Sequence, residues 1–256
     1  MSEEYLLAKM PWPKVEAALR KSDIAIIPVG STEQHGRHIP VDNDHFVAFQ
    51  MARQVAERLL PKLSVVVCPP VSYGISPHHM GFPGTITLTT ETFTAMMKEI
   101  VRALVKHGFR KILIINGHGG NTAALQSVIS DMRLETGAYL YQTNWWEIGS
   151  DIINKTCDPP VFHAEETETS VALALDQTIV MSEAKDEFPQ TESSFVKYDV
   201  CAPGPQVRAA LPGMRTITSS GTIGYASKGS KEKGTKIMDV VTERICNFLL
   251  EISKVK

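Results

Sequence analysis

Glu33-Gln34-His35-Gly36-Arg37-His38, with Asp42-Asn43-Asp44-His45 close behind, places three histidines and three carboxylates within Glu33–His45. That is dense for a chain with eight histidines in all. The segment directly follows the apolar run Ile24–Val29, which reads as a buried strand ended by Gly30. In open parallel sheets, ligands bind beyond the carboxyl ends of the strands. A Glu, a His and an Asp converging there suit a divalent metal of the zinc, manganese or iron type. The competing reading is a polar loop in which Asp44 caps a helix, a role aspartate fills well.

Two further clusters carry ligand-type residues. Asn116-Gly117-His118-Gly119-Gly120-Asn121 follows the apolar run Lys111–Ile115, again at a strand end. Glycines on both sides of His118 allow a sharp turn and the approach of a ligand. Alone it reads equally as a strand-to-helix turn with an Asn121 cap, and its weight comes from pairing with the first cluster. His163-Ala164-Glu165-Glu166-Thr167-Glu168 opens a helix with one histidine and three carboxylates. Acidic residues are favoured in a first helical turn by the macrodipole. The functional reading is one more metal ligand together with a general acid or base.

Other chemistries find little support. Gly224–Lys231 has the glycine spacing of a phosphate-binding loop, but its Lys and Ser/Thr are in reversed order and no apolar strand closely precedes it. There is no GxSxG elbow and no HExxH helix. Cys68, Cys157, Cys201 and Cys246 are scattered, without a CxxC pair, and read as reduced thiols packed as small hydrophobes. Across 256 residues, Lys+Arg 26 against Asp+Glu 28 gives a net charge of -2. No basic excess points to nucleic acid or an anionic membrane surface. The beginning, MSEEYLLAKM, is acidic and lacks an apolar signal core, and no apolar run reaches the roughly 18–20 residues of a membrane span. A cytoplasmic protein acting on a small molecule is the expectation.

The elements that must position these clusters alternate. Strands are expected at Ile24–Val29, Ser64–Cys68, Lys111–Ile115 and Ala138–Tyr141. Helices are expected at Asp44–Leu60, Thr90–His107 with Gly108 as C-cap, Asn121 to about Thr136 ended by Gly137, Thr167–Asp176 and Ser230–Ile252. Such alternation implies βαβ units: a largely parallel sheet with helices on both faces, an α/β fold. Val180–Ser220, with Pro189, Pro203, Pro205 and Pro212, reads as a long irregular excursion rather than a boundary, leaving one domain over 1–256.

At these residues the chain resembles the creatininase (creatinine amidohydrolase) family. The matching text is Pro28–Gly36 with His38, Pro40 and Asp44, then Tyr73-Gly74, His79-Met80-Gly81-Phe82-Pro83-Gly84-Thr85, Asn116–Asn121, His163-Ala164 and Glu168-Thr169-Ser170. Gly221–Gly234 looks like the family's glycine-containing C-terminal segment. The resemblance implies a three-layer α/β/α sandwich with a mostly parallel central sheet and a two-metal hydrolytic centre. Known members hydrolyse creatinine, formamides of flavin and deazaflavin precursors, a peptide in redox-cofactor maturation, and cyclic diketones from polyol breakdown. Glu33, His35, Asp44 and His118 match the family's metal ligands, with Asp44 as the bridging carboxylate. Creatinine hydrolase has a metal-binding Glu where this chain has Gly120, so Glu168 is implied as the replacement ligand. Creatinine hydrolase also has a tryptophan where this chain has Pro159-Pro160, which leaves Trp145-Trp146 as candidates for an aromatic wall or for sheet-edge packing.

The implied centre holds two divalent ions per chain, zinc ahead of manganese or iron, and activates water for attack on a carbonyl carbon. His163 is the expected proton donor to the leaving group, because imidazole titrates near neutrality, with Glu165 or Glu166 orienting it. The expected reaction is C–N hydrolysis of a small cyclic amide or formamide. C–C hydrolysis of a cyclic diketone is the alternative, and a non-catalytic binding protein stands behind both. A homo-oligomer, a hexamer in some members, is implied by resemblance alone.

Overall fold

Four apolar runs pair into one parallel sheet in the computed structural model, which describes residues 4–60, 62–204, 207 and 209–255. The strands are β1 (Ile24–Val29), β2 (Val66–Val67), β3 (Lys111–Asn116) and β4 (Tyr139–Asn144), in the order β2-β1-β3-β4. β1 pairs with β3 from Ile24 opposite Lys111 to Val29 opposite Asn116, and β3 pairs with β4 over its whole length. Both central strands are buried at every position, which is why they read as continuous apolar runs.

Parallel strands need long crossovers, and helices supply them. In chain order the helices are α1 (Trp12–Leu19), α2 (Asn43–Leu59), α3 (Thr90–His107), α4 (Thr122–Thr136), α5 (Trp145–Ile148), α6 (Ser150–Thr156), α7 (Glu166–Ala174), α8 (Met214–Ile217) and α9 (Lys231–Ile252). Successive strand side chains point to opposite faces, and the two cores divide accordingly. Ile24, Ile26, Leu113 and Ile115 pack with Val47, Met51 and Val55 of α2 and with Ile237, Val241 and Leu249 of α9. Ala25, Ile27, Ile112 and Ile114 pack with Phe93, Met97 and Val101 of α3 and with Leu125, Val128 and Met132 of α4. The result is the expected α/β sandwich, with a helical layer on each face of the sheet.

Several expectations need correcting. The run Ser64–Cys68 forms a ladder only at Val66–Val67, because Pro69 and Pro70 have no N–H to offer β1. Its pairing resumes as the single hydrogen bonds Cys68 N to Ile26 O and Val71 N to Pro28 O. The fourth strand runs on past Tyr141 to Asn144. Trp145 and Trp146 are buried in the core beside α9, so they form no wall at a site. α1, α5, α6 and α8 lie outside the expected helices. α3 matches the expectation at both ends: Thr89 Oγ1 accepts from Thr92 N, and Gly108 closes it at φ 112°. Val180–Ser220 is irregular, with one 3-10 turn at Met181–Glu183 and the short α8. Pro205 lies outside the described residues. No helix among the described residues is long and apolar enough to cross a membrane.

Candidate metal centre

Because Val29 and Asn116 stand opposite each other in register, the loops after β1 and β3 leave the sheet side by side. The first turn of α2 sits directly on both. A Cβ at Gly30 would lie 2.2 Å from His45 N, and one at Gly117 would lie 2.2 Å from Asp44 O. The two glycines therefore admit α2, and Asp44 is wedged between the two strand ends. The asparagines of the second cluster hold main chain in place. Asn121 Nδ2 donates to Gly30 O at 3.0 Å and its Oδ1 accepts from Ile75 N at 3.0 Å. Asn116 Nδ2 donates to His118 O at 2.6 Å. Asn121 precedes α4, as expected, but its side chain does not cap it.

Five of the anticipated residues converge here. His35 Nε2 lies 2.9 Å from Asp44 Oδ1 and 3.8 Å from Glu168 Oε2. His118 Nδ1 lies 3.2 Å from Asp44 Oδ2 and 3.2 Å from Glu33 Oε1. Asp44 thus turns one oxygen toward each histidine. The ligand-type atoms of Glu33, Asp44 and His118 lie within 4.8 Å of one another, as do those of His35, Asp44 and Glu168, and those of Glu33, His35 and His163. All these side chains are buried except Glu168, which is 13% exposed.

Each histidine is oriented from behind. His35 Nδ1 faces Glu33 O at 3.1 Å, so Nδ1 carries a proton and Nε2 is the atom turned to the carboxylates. His118 Nε2 donates to Ile75 O at 3.0 Å, with Ser76 Oγ at 3.1 Å, leaving Nδ1 for the cluster. A histidine whose second nitrogen is engaged by a carbonyl is the usual arrangement around a bound metal. Gly120 is forced: a Cβ there would lie 2.2 Å from Ile75 O and 2.5 Å from His118 Nε2.

The electrostatics of the bare cluster follow from three buried carboxylates beside imidazoles. Burial would raise Glu33, but His118, 3.2 Å away, pulls its carboxyl well below the usual range. Burial would lower His35, yet Asp44 and Glu168 lift it to about 10. His118 is raised well above its usual value by Glu33 and Asp44, against the penalty of burial. Glu168 is pushed up to about 7 by burial, with His35 opposing. Glu33 Oε2, Asp44 Oδ2 and His35 Nε2 are buried without an aligned hydrogen bond. Orphaned atoms of this kind are rare in proteins, and here they are carboxylate and imidazole donors aimed at common points. The residues present fit divalent cations with oxygen and nitrogen ligands.

Other expected residues lie differently. His163 reaches the cluster, its Nδ1 3.9 Å from Glu33 Oε1, but burial and the nearby His35 lower it to about 3. It rests neutral rather than titrating near neutrality. Neither candidate for orienting it does so. Glu165 caps α7, accepting from Thr167 N and Glu168 N, and Glu166 is ion-paired with Lys233 and accepts from Asp158 N. The Gln34 main-chain carbonyl holds His163 instead, 2.8 Å from Nε2. His38 binds Thr169 Oγ1, and His45 faces the Ser31 carbonyl. His79 and Gln34 belong to the motifs quoted above, yet no role was expected of either. His79 Nε2 lies 3.3 Å from Glu33 Oε1, and Gln34 Nε2 lies 2.8 Å from His79 Nδ1. The signal for both was their place in those motifs, and for His79 also a histidine pair set among Pro77, Gly81 and Pro83.

Comparison with known proteins adds a second line. The family model for creatininase, described as creatinine amidohydrolase, matches residues 8–249. A 3-dehydro-scyllo-inosose hydrolase from Thermotoga maritima is 33% identical over 173 residues, 65% of this chain and 54% of that protein, so the chain spans about half the length of that curated relative. A mycofactocin precursor peptide peptidase from Mycolicibacterium smegmatis is 32% identical over 223 residues, 84% of this chain and 79% of the peptidase. A creatinine amidohydrolase from Pseudomonas putida is 28% identical over 272 residues, 98% of each chain. The solved structure of a Bacteroides fragilis protein, a candidate creatinine amidohydrolase, is similar with TM-score 0.85 at 27% identity, over 100% of this chain and 99% of that one. A zinc–zinc form of a mutant creatininase and a manganese creatininase share the fold, each with TM-score 0.82 at 24% identity.

Proposed function

The chain belongs to the creatininase family of hydrolases, and from that premise we propose that it hydrolyses the C–N bond of a small cyclic amide or formamide at a centre of two divalent metal ions. The observation that carries this reading is Asp44, whose two oxygens face two separate donor groups at 2.9 and 3.2 Å, as a bridging carboxylate requires. Glu33, Asp44 and His118 would hold one ion, and His35, Asp44 and Glu168 the other. Nitrogen and oxygen ligands without cysteine admit zinc, manganese or iron, with zinc placed first. A divalent metal held by these residues would supply a lowered pKa for water and polarisation of a carbonyl oxygen. His163 supplies the proton transfer. Its Nδ1, bare in the resting state, takes the proton of the attacking water and returns it to the departing nitrogen. The Gln34 carbonyl holds the imidazole in the orientation this needs. Burial of the cluster excludes bulk water and favours a small substrate over a long peptide.

Creatinine itself is disfavoured. The absence of room for any side chain at Gly120 removes the ligand that creatinine hydrolase carries there. A second reading, C–C hydrolysis of a cyclic diketone, is supported by the likeness to the inosose hydrolase. A cytoplasmic homo-oligomer built from one domain over 1–256 completes the proposal. The test is elemental analysis of the purified protein, then metal-stripped and reloaded protein assayed on creatinine, formamides and cyclic diketones. Near two ions per chain, and C–N turnover lost on stripping and restored on reloading, is the expected result. A protein that takes up no metal would overturn the centre, and turnover of diketones alone would overturn the bond assignment.

A further inference from the structure

We infer that Gln34 fixes the proton positions on two histidines at once, its side-chain amide making His79 a neutral donor to Glu33 and its main-chain carbonyl leaving His163 a bare Nδ1 base. Gln34 is thus a positioning residue for the centre proposed above, on which the functional meaning of this inference rests. The argument is a count of hydrogens. Gly36 N donates to one side-chain atom of Gln34 at 2.9 Å, and a main-chain N–H can only donate, so that atom is Oε1. The other atom, Nε2, carries two hydrogens and no lone pair. It lies 3.1 Å from Gly221 O, which can only accept, and this uses one hydrogen. It lies 2.8 Å from His79 Nδ1 and 2.9 Å from His163 Nε2, and one hydrogen remains for the two.

The main-chain carbonyl of the same residue decides between them. Gln34 O is 2.8 Å from His163 Nε2, so that nitrogen carries a proton and cannot accept the amide's. The second amide hydrogen therefore goes to His79 Nδ1, which must be bare. His79 is then protonated on Nε2, the atom 3.3 Å from Glu33 Oε1. His163 is bare on Nδ1, the atom that faces the cluster, 3.9 Å from Glu33 Oε1. The arrangement has no slack, because the Gln34 side chain is 4% exposed and every hydrogen of the amide is assigned. His79 thus holds Glu33 by a dipole without adding a charge, so Glu33 keeps its negative charge for a cation.

The consequence is an asymmetry that substitution can expose. Gln34→Glu keeps the size of the side chain but replaces both hydrogens with lone pairs. His79 must then protonate Nδ1 to meet the carboxylate. His163 keeps its proton on Nε2, because its partner is main chain.

The experiment is long-range proton–nitrogen NMR of protein labelled with 15N-histidine, metal-free and zinc-loaded, beside zinc titrations of wild type, Gln34→Glu and Gln34→Met. Wild type is expected to show His79 and His163 both protonated on Nε2 alone. Gln34→Glu is expected to put a proton on His79 Nδ1, to leave His163 Nε2 protonated, and to weaken zinc binding about 10- to 100-fold, the usual effect of losing a partner behind a metal ligand. Gln34→Met removes the hydrogens without adding charge, and is expected to weaken zinc binding less. Wild-type His79 protonated on Nδ1 would overturn the inference without need of any variant, as would a Gln34→Glu spectrum unchanged at His79. The expected spectra in a protein that binds no zinc would leave the inference standing and refute the metal centre. Zinc uptake with His79 protonated on Nδ1 would do the reverse.

Discussion

Asp44 presents Oδ1 to His35 and Oδ2 to His118 from a position 2% exposed, so one substitution reaches both halves of the cluster. Asp44→Asn keeps the shape and replaces one oxygen with an amide nitrogen, which cannot ligate. We expect zinc affinity to fall by more than about 100-fold, beyond the loss typical of outer partners, with both ions lost together in elemental analysis. Retention of one ion at full occupancy would show that the two halves are independent. A pH dependence belongs to the same scale. In the metal-free protein His35 is raised to about 10 and His118 well above its usual value, and Glu168 sits at about 7. These groups hold protons that a cation must displace. Zinc uptake should therefore release protons, and affinity should rise with pH. Calorimetric titration in buffers of different ionisation enthalpy, from about pH 6 to about pH 8, reads that release directly.

The elements carry the ligands only because they meet without side chains between them. A methyl group at Gly117 would press on the Asp44 carbonyl at 2.2 Å, backbone against backbone, so α2 must shift. Gly117→Ala should cost about 1–3 kcal/mol in denaturant unfolding and weaken zinc uptake with it. Gly119→Ala is the control two residues on, where a Cβ meets nothing within 4 Å, and its change should stay within about 0.5 kcal/mol. A second device closes the long excursion on itself, beside the bridge of Ile223 to His163. The Glu187 carboxylate accepts from Thr218 Oγ1 at 2.6 Å, Ser219 N at 2.7 Å and Ser220 N at 2.9 Å. Burial would raise its pKa, but these hydroxyl and amide donors bring it down to about 2. A carboxyl lowered on folding stabilises above its ordinary value of 4.5, and that contribution fades as pH falls toward 2. Protection of the 218–224 amides, taken relative to the intrinsic exchange rate, which itself slows in acid, should fall over that window in wild type. In Glu187→Gln that protection should be low at neutral pH and lose its acid dependence.

At the scale of the molecule, two apolar faces of one sheet are each sealed by a helical layer, and all four cysteines lie within that packing. Burial pushes the thiols of Cys68, Cys157 and Cys201 up to about 12 and raises Cys246 as well. Thiolates are the reactive form. The native protein should therefore react with a disulfide reagent at well under one thiol per chain in the time that the denatured protein reacts at all four. Rapid labelling of a native thiol would show that one of these layers opens.

Much of this protein was legible in one dimension. The strands Ile24–Val29 and Lys111–Asn116 announce themselves as unbroken apolar runs because both faces are covered, and α3 because its apolar stripe and both caps are local. Glu33, His35 and Asp44 follow β1 and His118 follows β3, so the rule that ligands gather at carboxyl ends marked the clusters, and the family resemblance singled these residues out within them. What the sequence left open was every partnership between distant residues. It did not say that β1 and β3 would be neighbours, that His79 would come to Glu33, that Glu165 would turn back to cap its own helix, or that Trp145 and Trp146 would fill the core. The reason is physical. Strand and helix signals come from periodic burial within a dozen residues, whereas a side-chain hydrogen bond depends on which chain segments pack together. The ligand types at the candidate centre were determined by the sequence alone, and the proton on each histidine was decided only by the folded chain, where the Gln34 amide and the main-chain carbonyls of Glu33, Gln34 and Ile75 stand behind the rings.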